Sequence, residues 1–310
     1  MNWIIISLIA YFMLAAESVA NKFLISGKVK SWQTYLFYIG LLSAFSFLLF
    51  PFGLTWFGWK FFLILIIAGI FFAFYLWMLF WALDDSAASR SFVLVGAVFT
   101  LVTFLLAFLF LKERFDFLSI GGILLLLNGG FLVSYQPQKK EFFGAWWKLV
   151  LAGIAFAIFS ILFNYAFSFI SQKGQEVFIS GYIYSRIGVV GTILIMFLFR
   201  KYRKPVLLAL KEKGTSQSIT NLGWTISVKT FSGIANFMLN YAMSIGEIAK
   251  INALSAAQYL FIFLMSFFLG FKFRQVFDED FSFKSLAYKA IGSIDRKSTR
   301  LNSSHARLSR

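Results

Sequence analysis

The sequence predicts an all-α polytopic membrane protein, and three observations lead there. Of its 310 residues 60% are hydrophobic and only 14% charged, too few charges to coat a soluble domain of this length. The 43 phenylalanines run along the whole chain rather than gathering in one core segment, so much of the surface they form faces lipid. Apolar runs such as 61–82 carry no charge over a length that crosses the hydrocarbon as a helix, and they lack the alternation of a barrel strand. Lipid offers the backbone no hydrogen bonds, so only helices and closed barrels cross it.

Nine segments reach spanning length: 3–25, 32–52, 61–82, 91–111, 117–135, 149–170, 177–199, 222–245 and 251–271. The first could pass for a signal peptide, since AESVA at 16–20 carries small residues. It has no basic leader, so it is read as an uncleaved first helix. After 273 comes the polar stretch RQVFDED, then FSFKSLAYKAIGSI up to 294, read as the entry to a truncated tenth helix. Residues 295–305, DRKSTRLNSSH, resemble the conceptual translation of a sequencing-library adapter. The whole of 295–310 is set aside as non-native. Without its five Lys/Arg and one Asp the net charge falls from +16 to +12.

Composition also excludes chemistry. There is no cysteine, and the single histidine, His305, lies in the discarded tail. Disulfides, thiolate metal sites, histidine metal clusters and Ser-His-Asp catalysis are therefore absent, and no Gly-rich phosphate loop appears. Asp84 and Asp85 lie at a helix end, and Asp278 and Asp280 in a polar link, so no aspartate pair sits within a span. The expectation is a protein that is not an enzyme and carries no cofactor or metal. The basic excess sits in connections between apolar runs and is assigned to topology and anionic lipid, not to nucleic acid. Fourteen Lys/Arg in odd-numbered connections against five in even-numbered ones favour an outside N-terminus.

Two halves emerge, 1–136 and 144–294. ESVANKF at 17–23 lines up with SILFNYA at 160–166, placing Asn21 on Asn164. SAASRSFVLVGAVFTLVTFLLAFLF, from 86, can be laid beside IAKINALSAAQYLFIFLMSFFL, from 248. Because five is odd, a five-plus-five repeat puts the halves in opposite orientation, the architecture of alternating-access carriers. The stretch 86–115, with its LKER end at 111–114, then SIGGILLLLNGGFLVSY at 119–135 and NYAMSIGEIAKINALSAAQYLFIF at 240–263, resembles the drug/metabolite transporter superfamily in its EamA-like branch. The resemblance covers nearly all of 1–294. It departs from the family where Ala97 stands near the place of a common proline, and where the tenth helix is cut short. It implies a ten-helix inverted-repeat transporter of the cell (inner) membrane, moving amino acids, other metabolites or drug-like solutes; it favours a cytoplasmic N-terminus, against the charge count.

Ionisable and polar groups at membrane depth are costly and ask for a partner or a wet cavity. Glu17 is the only carboxylate well inside a span, with Asn21 four residues on along the same face. It is either a proton-coupling or cation-recognising group, or the partner of Arg186 or Lys229. Thr225, Lys229, Ser232, Asn236 and Asn240 follow at spacings of 4, 3, 4 and 4, a polar stripe within about 80° of arc. Such a stripe lines a cavity or makes a hydrogen-bonded helix contact. Arg186, four residues after Tyr182, binds a substrate carboxylate through its planar fork or neutralises Glu17. Asn252, Ser255 and Tyr259 share a face of the ninth span. The residues assigned to solute binding are thus Glu17, Asn21, Arg186, Lys229, Asn236, Asn240, Asn252 and Tyr259. Small residues at Gly122 and Gly129, Gly181 and Gly188, and Ala249, Ala253 and Ala257 suit close helix packing. Two function classes stand side by side. One is a secondary carrier driven by a proton gradient or by exchange; the other is a non-transporting membrane module that handles lipid or binds a partner. Solute flux separates them.

Overall fold

The computed structural model describes residues 3–25, 32–85, 88–111, 121, 142–170, 174–211, 216–255, 257–258, 261–262, 264–265 and 268. Every element among them is helical: α1 (Trp3–Ile25), α2 (Trp32–Ala44), α3 (Trp59–Asp85), α4 (Ala88–Leu106), α5 (Phe142–Ser168), α6 (Gln175–Leu198), α7 (Arg200–Lys211), α8 (Ser216–Ile245) and α9 (Ile248–Ala253). Six described segments are long and apolar enough to cross a membrane: Trp3–Ala20, Trp32–Phe52, Trp59–Leu83, Leu94–Leu111, Trp146–Ser168 and Gln175–Leu198. The protein is thus a multi-pass helical membrane protein by length and composition. The fifth predicted span apart from residue 121, half of the ninth beyond Ala253, and the entry to the tenth lie outside the described residues, as does the 295–310 tail. Contacts divide the chain into Met1–Ile262 and Phe263–Arg310.

Each span shows lipid one stripe and its neighbours another. On α1 the exposed residues Ile5, Ile9 and Phe12 recur at steps of 4 and 3, while Ile6, Ala10, Tyr11, Ala15 and Val19 are buried. Leu63, Ile67 and Ile70 repeat that exposed pattern on α3, and Leu101, Leu105 and Phe108 repeat it at the end of the fourth span. In water this would be an aggregating surface; in acyl chains it is the required one. Aromatic side chains gather at both ends of α3. Trp56 packs on Trp59 and Phe62 at one end, where Lys60 Nζ lies 3.7 Å from the Phe169 ring centroid. At the other end Tyr202 meets Trp32 and Trp77, Trp81 meets Trp147, and Lys148 Nζ lies 4.0 Å from the Trp81 ring centroid. The 22 residues from Trp59 to Trp81 separate these belts by about 33 Å along the helix, close to a hydrocarbon core.

Two spans depart from α geometry near their ends. The second tightens into a 3-10 helix over Phe45–Phe52, where Pro51 has no N–H to continue an α ladder. The fourth widens into a π-helical turn over Ala107–Leu111. Gly53 follows the 3-10 helix at φ 133°, a conformation other residues rarely adopt. The link it opens is tied to α6: Thr55 N–H donates to Ser180 Oγ at 2.9 Å, Ser180 Oγ–H to Gly53 O at 3.2 Å, and Tyr184 O–H to Thr55 O at 3.0 Å.

α3 is the hub, packed on α5 through rings and on α6 through backbone. Against α5, Tyr75 stacks on Phe156 at 4.5 Å and Phe72 meets Phe159 at 4.8 Å, while Phe99 of α4 closes on Phe156 at 4.3 Å. Against α6, Gly69 and Gly188 let the helices touch directly. A methyl on Gly69 would overlap the Ser185 carbonyl oxygen, and one on Gly188 the Ile66 carbonyl oxygen. Gly181, predicted with Gly188 to serve close packing, leaves room for the Phe167 ring.

One difference from the sequence reading concerns 200–211, read there as a basic connection. It forms the amphipathic helix α7, with Pro205 inside it. Clustered charge and a proline mask the pattern, but Tyr202 and Val206, four apart, both face protein.

The glycine contact yields a paired prediction. Gly188→Ala is expected to lower the melting temperature of the detergent-purified protein, since overpacking of this kind costs about 1–3 kcal/mol. Gly191→Ala, three residues on, where an added Cβ meets nothing within 4 Å, is expected to leave it unchanged or slightly raised. Equal behaviour of the two variants would remove the backbone-contact explanation.

Candidate functional site

The charged centre lies between α1 and α8. Glu17 stands past the middle of α1 and Lys229 near the middle of α8, and Lys229 Nζ donates to Glu17 Oε1 at 2.6 Å. Ser232, one turn along α8, donates its hydroxyl to Glu17 Oε2 at 2.6 Å. Both carboxylate oxygens are therefore engaged, one by a cation and one by a hydroxyl. Each charged side chain is only 12% exposed. Of the two partners the sequence offered Glu17, the fold selects Lys229.

From Ser232 the polar stripe continues along α8 itself. Asn236 Nδ2 donates to Ser232 O at 2.9 Å, and Asn240 Nδ2 to Asn236 O at 2.7 Å. The regular spacing that signalled a lining face thus has two local uses. Its first half reaches across to α1, and its second half folds back on its own carbonyls. Asn240 is buried, and its Oδ1 accepts no hydrogen bond from the described residues.

Arg186 is elsewhere. It is 4% exposed on α6, with its Cζ 4.6 Å from the Tyr182 ring centroid and 4.9 Å from that of Phe72 on α3. Two aromatic faces balance part of its charge, a contact that strengthens away from water. Among the described residues its Nε and Nη2 have no hydrogen-bond acceptor. A buried guanidinium with unused N–H groups holds unspent binding capacity for an anion.

Asn252 at the start of the ninth span belongs to a different contact: its Nδ2 donates to Thr103 Oγ1 of α4 at 3.3 Å. Asn21 lies within α1, but its side chain is outside the described part, as is that of Thr225 in α8; Tyr259 lies outside it altogether. The six predicted residues whose side chains are described therefore resolve into one connected group (Glu17, Lys229, Asn236 and Asn240, joined through Ser232) and two separate positions, Arg186 and Asn252.

Sequence reasoning missed two residues that the geometry brings forward. Phe72 frames Arg186, and nothing in the spacing of an apolar helix marks one phenylalanine among so many. Asn164, noticed only as the counterpart of Asn21, donates Nδ2 to Met243 O at 2.6 Å and to Gly246 O at 3.1 Å. Those carbonyls end α8, where the last turn has no intrahelical donors, so Asn164 fastens α5 to the end of α8. Among the described residues no group of three or more His, Cys, Asp or Glu comes together to hold a metal ion.

In comparison with known proteins, the chain matches no protein-family model and no curated sequence.

The pairing of Glu17 with Lys229 predicts strong non-additivity. Glu17→Leu and Lys229→Leu are each expected to destabilise the protein by about 3–5 kcal/mol, since each leaves one buried charge uncompensated. The double variant is expected to recover much of that loss. Additive losses, measured as melting shifts in one detergent, would show that the two charges share no energetic contact.

Proposed function

We propose that this protein is a secondary carrier for a small solute, working by alternating access of two inverted five-helix halves in the cell (inner) membrane. The observation that carries the proposal is the Glu17–Lys229–Ser232 cluster, a largely buried charged centre held between α1, one of the six candidate spans, and α8. Charges so placed are expensive, and solute or ion pathways are where such charges are found. The resemblance to EamA-like transporters supplies the repeat architecture and the solute class of amino acids, other metabolites or drug-like molecules.

In this mechanism Glu17 is the coupling group. While ionised it holds Lys229 and the Ser232 hydroxyl, closing α1 on α8. A proton on the carboxyl removes the charge that Lys229 neutralises, and the contact loosens. The proton leaves again on the other side, and the pair re-forms. Arg186 recognises the solute: its Nε–H and Nη2–H, which the aromatic faces of Phe72 and Tyr182 leave without an acceptor, donate to a solute carboxylate. No ATP-binding motif is present in the sequence, so the driving force is an ion gradient or exchange.

Proteoliposomes test this directly. With a panel of labelled amino acids, the purified protein is expected to catalyse both counterflow exchange and accumulation under an imposed pH gradient. Glu17→Gln is expected to retain exchange and lose gradient-driven accumulation. Unchanged accumulation in that variant would sink proton coupling, and no flux of any solute in either mode would sink the carrier reading in favour of a non-transporting module. For a transported solute, the free carboxylate is expected to compete at least tenfold better than its amide, and Arg186→Gln to abolish that preference. An unaltered preference in the variant would remove Arg186 from recognition.

A further inference from the structure

The helix that sequence reasoning took for a connection carries a surface that transport does not explain. α7 begins one residue after the sixth helix ends. Tyr202 N–H and Arg203 N–H both donate to Phe199 O, at 3.0 and 3.2 Å, so it leaves the span without slack. The last turns of that span present Leu194, Ile195, Leu198 and Phe199, all exposed, as a lipid-facing side must. One face of α7 is committed to protein: the Tyr202 ring meets Trp32 edge-on at 5.8 Å and Trp77 at 6.2 Å, and Val206 is fully buried. Tyr202 also belongs to the aromatic belt at that end of α3, which sets α7 at headgroup depth.

The opposite face is open and has an ordered composition. Arg200, Arg203 and Leu207 stand above one another at steps of 3 and 4, and Lys201, Lys204 and Leu208 do the same on the adjoining stripe. All six are exposed, Leu207 and Leu208 by 46% and 53%. Each stripe therefore runs cation, cation, leucine. The helix contains no acidic residue to neutralise these cations from within. A purely solvated helix would not end its exposed stripes in leucine, and a purely lipid-facing one would not begin them with four cations.

We propose that the outer face of α7 binds anionic phospholipid. Arg200, Lys201, Arg203 and Lys204 engage headgroup phosphates, and Leu207 and Leu208 insert among the upper acyl chains. The discriminating feature is net headgroup charge: a zwitterionic headgroup carries its own ammonium beside the phosphate, whereas phosphatidylglycerol does not. Basic residues near an anionic leaflet contribute on the order of 1 kcal/mol each, and salt screens the attraction. Interfacial helices of this composition lie in the membrane plane with their apolar residues sunk below the headgroups. The inference is independent of the carrier mechanism and holds for either function class.

The full chain in detergent micelles is the material, and its melting temperature is the readout. Added phosphatidylglycerol is expected to raise the melting temperature by several degrees at low salt, where phosphatidylcholine does not. About 1 M salt is expected to abolish the increment in the unmodified protein. Arg200→Gln, Lys201→Gln, Arg203→Gln and Lys204→Gln combined are expected to remove it, each cation lost weakening apparent lipid affinity about fivefold. Leu207→Ser with Leu208→Ser is expected to reduce it by half or more. Equal stabilisation by the two lipids, or an increment that survives high salt in the unmodified protein, would overturn the proposal. An equal rise with inorganic phosphate alone would also overturn it, and would replace the lipid with a free-anion site.

Discussion

A charge inside a bilayer has no water to fall back on, so whatever neutralises it has to come from the protein itself, and that requirement organises this molecule. Glu17 and Lys229 meet it for each other, and Ser232 completes the carboxylate's coordination. The contact fixes the facing sides of α1 and α8 and places the α8 stripe against protein along its first half. Elsewhere the same constraint falls on the backbone. The Asn164 amide serves the carbonyls that end α8, and Ser180 and Tyr184 serve the link that follows the second span. Other described polar side chains, Ser7, Ser18 and Thr192 among them, donate back to carbonyls one turn earlier in their own helices.

With polar needs met locally, packing is left to shape. Lipid tails are as apolar as leucine, so helices gain little from merely hiding apolar surface from one another. They gain from contact density, and the hub helix α3 finds it in two different ways. Toward α5 the space is filled by interlocked rings around Phe156, each such pair contributing about 0.5–1.5 kcal/mol. Toward α6 the space is removed, because glycines let main chain rest on main chain. The first interface is thick and built of many side chains; the second is thin and built of almost none.

Much of the fold was legible because its signals are long and local. The first span runs over the very residues, 3–25, that the apolar run marks, and α3 and α6 extend their predicted spans by a few residues at most. Charge-free length is a property of the chain alone, so sequence carries it. The partner of Glu17 is a property of helix neighbours, and Arg186 and Lys229 were equally good choices until α8 was seen against α1. The stripe on α8 was legible as a stripe but not as two halves with different uses, since a spacing of 4 serves a neighbouring helix and the helix's own carbonyls alike. α7 was missed because charge and proline dominate a short amphipathic segment whose inner face includes just Tyr202 and Val206 among the described side chains.

The glycine crossing of α3 and α6 joins a helix from the first half of the sequence to one from the second. Main chain against main chain leaves no side chain to compress and no gap to take up. Two rods in such contact cannot approach further, and separating them forfeits the contact outright; what they can do cheaply is turn about the point where they touch. Gly69 and Gly188 therefore have the geometry of a fulcrum, and the Glu17–Lys229 contact, built from two long flexible side chains, has that of a latch. A main-chain crossing that cannot compress and an ion pair that can lengthen give the two contacts opposite stiffness.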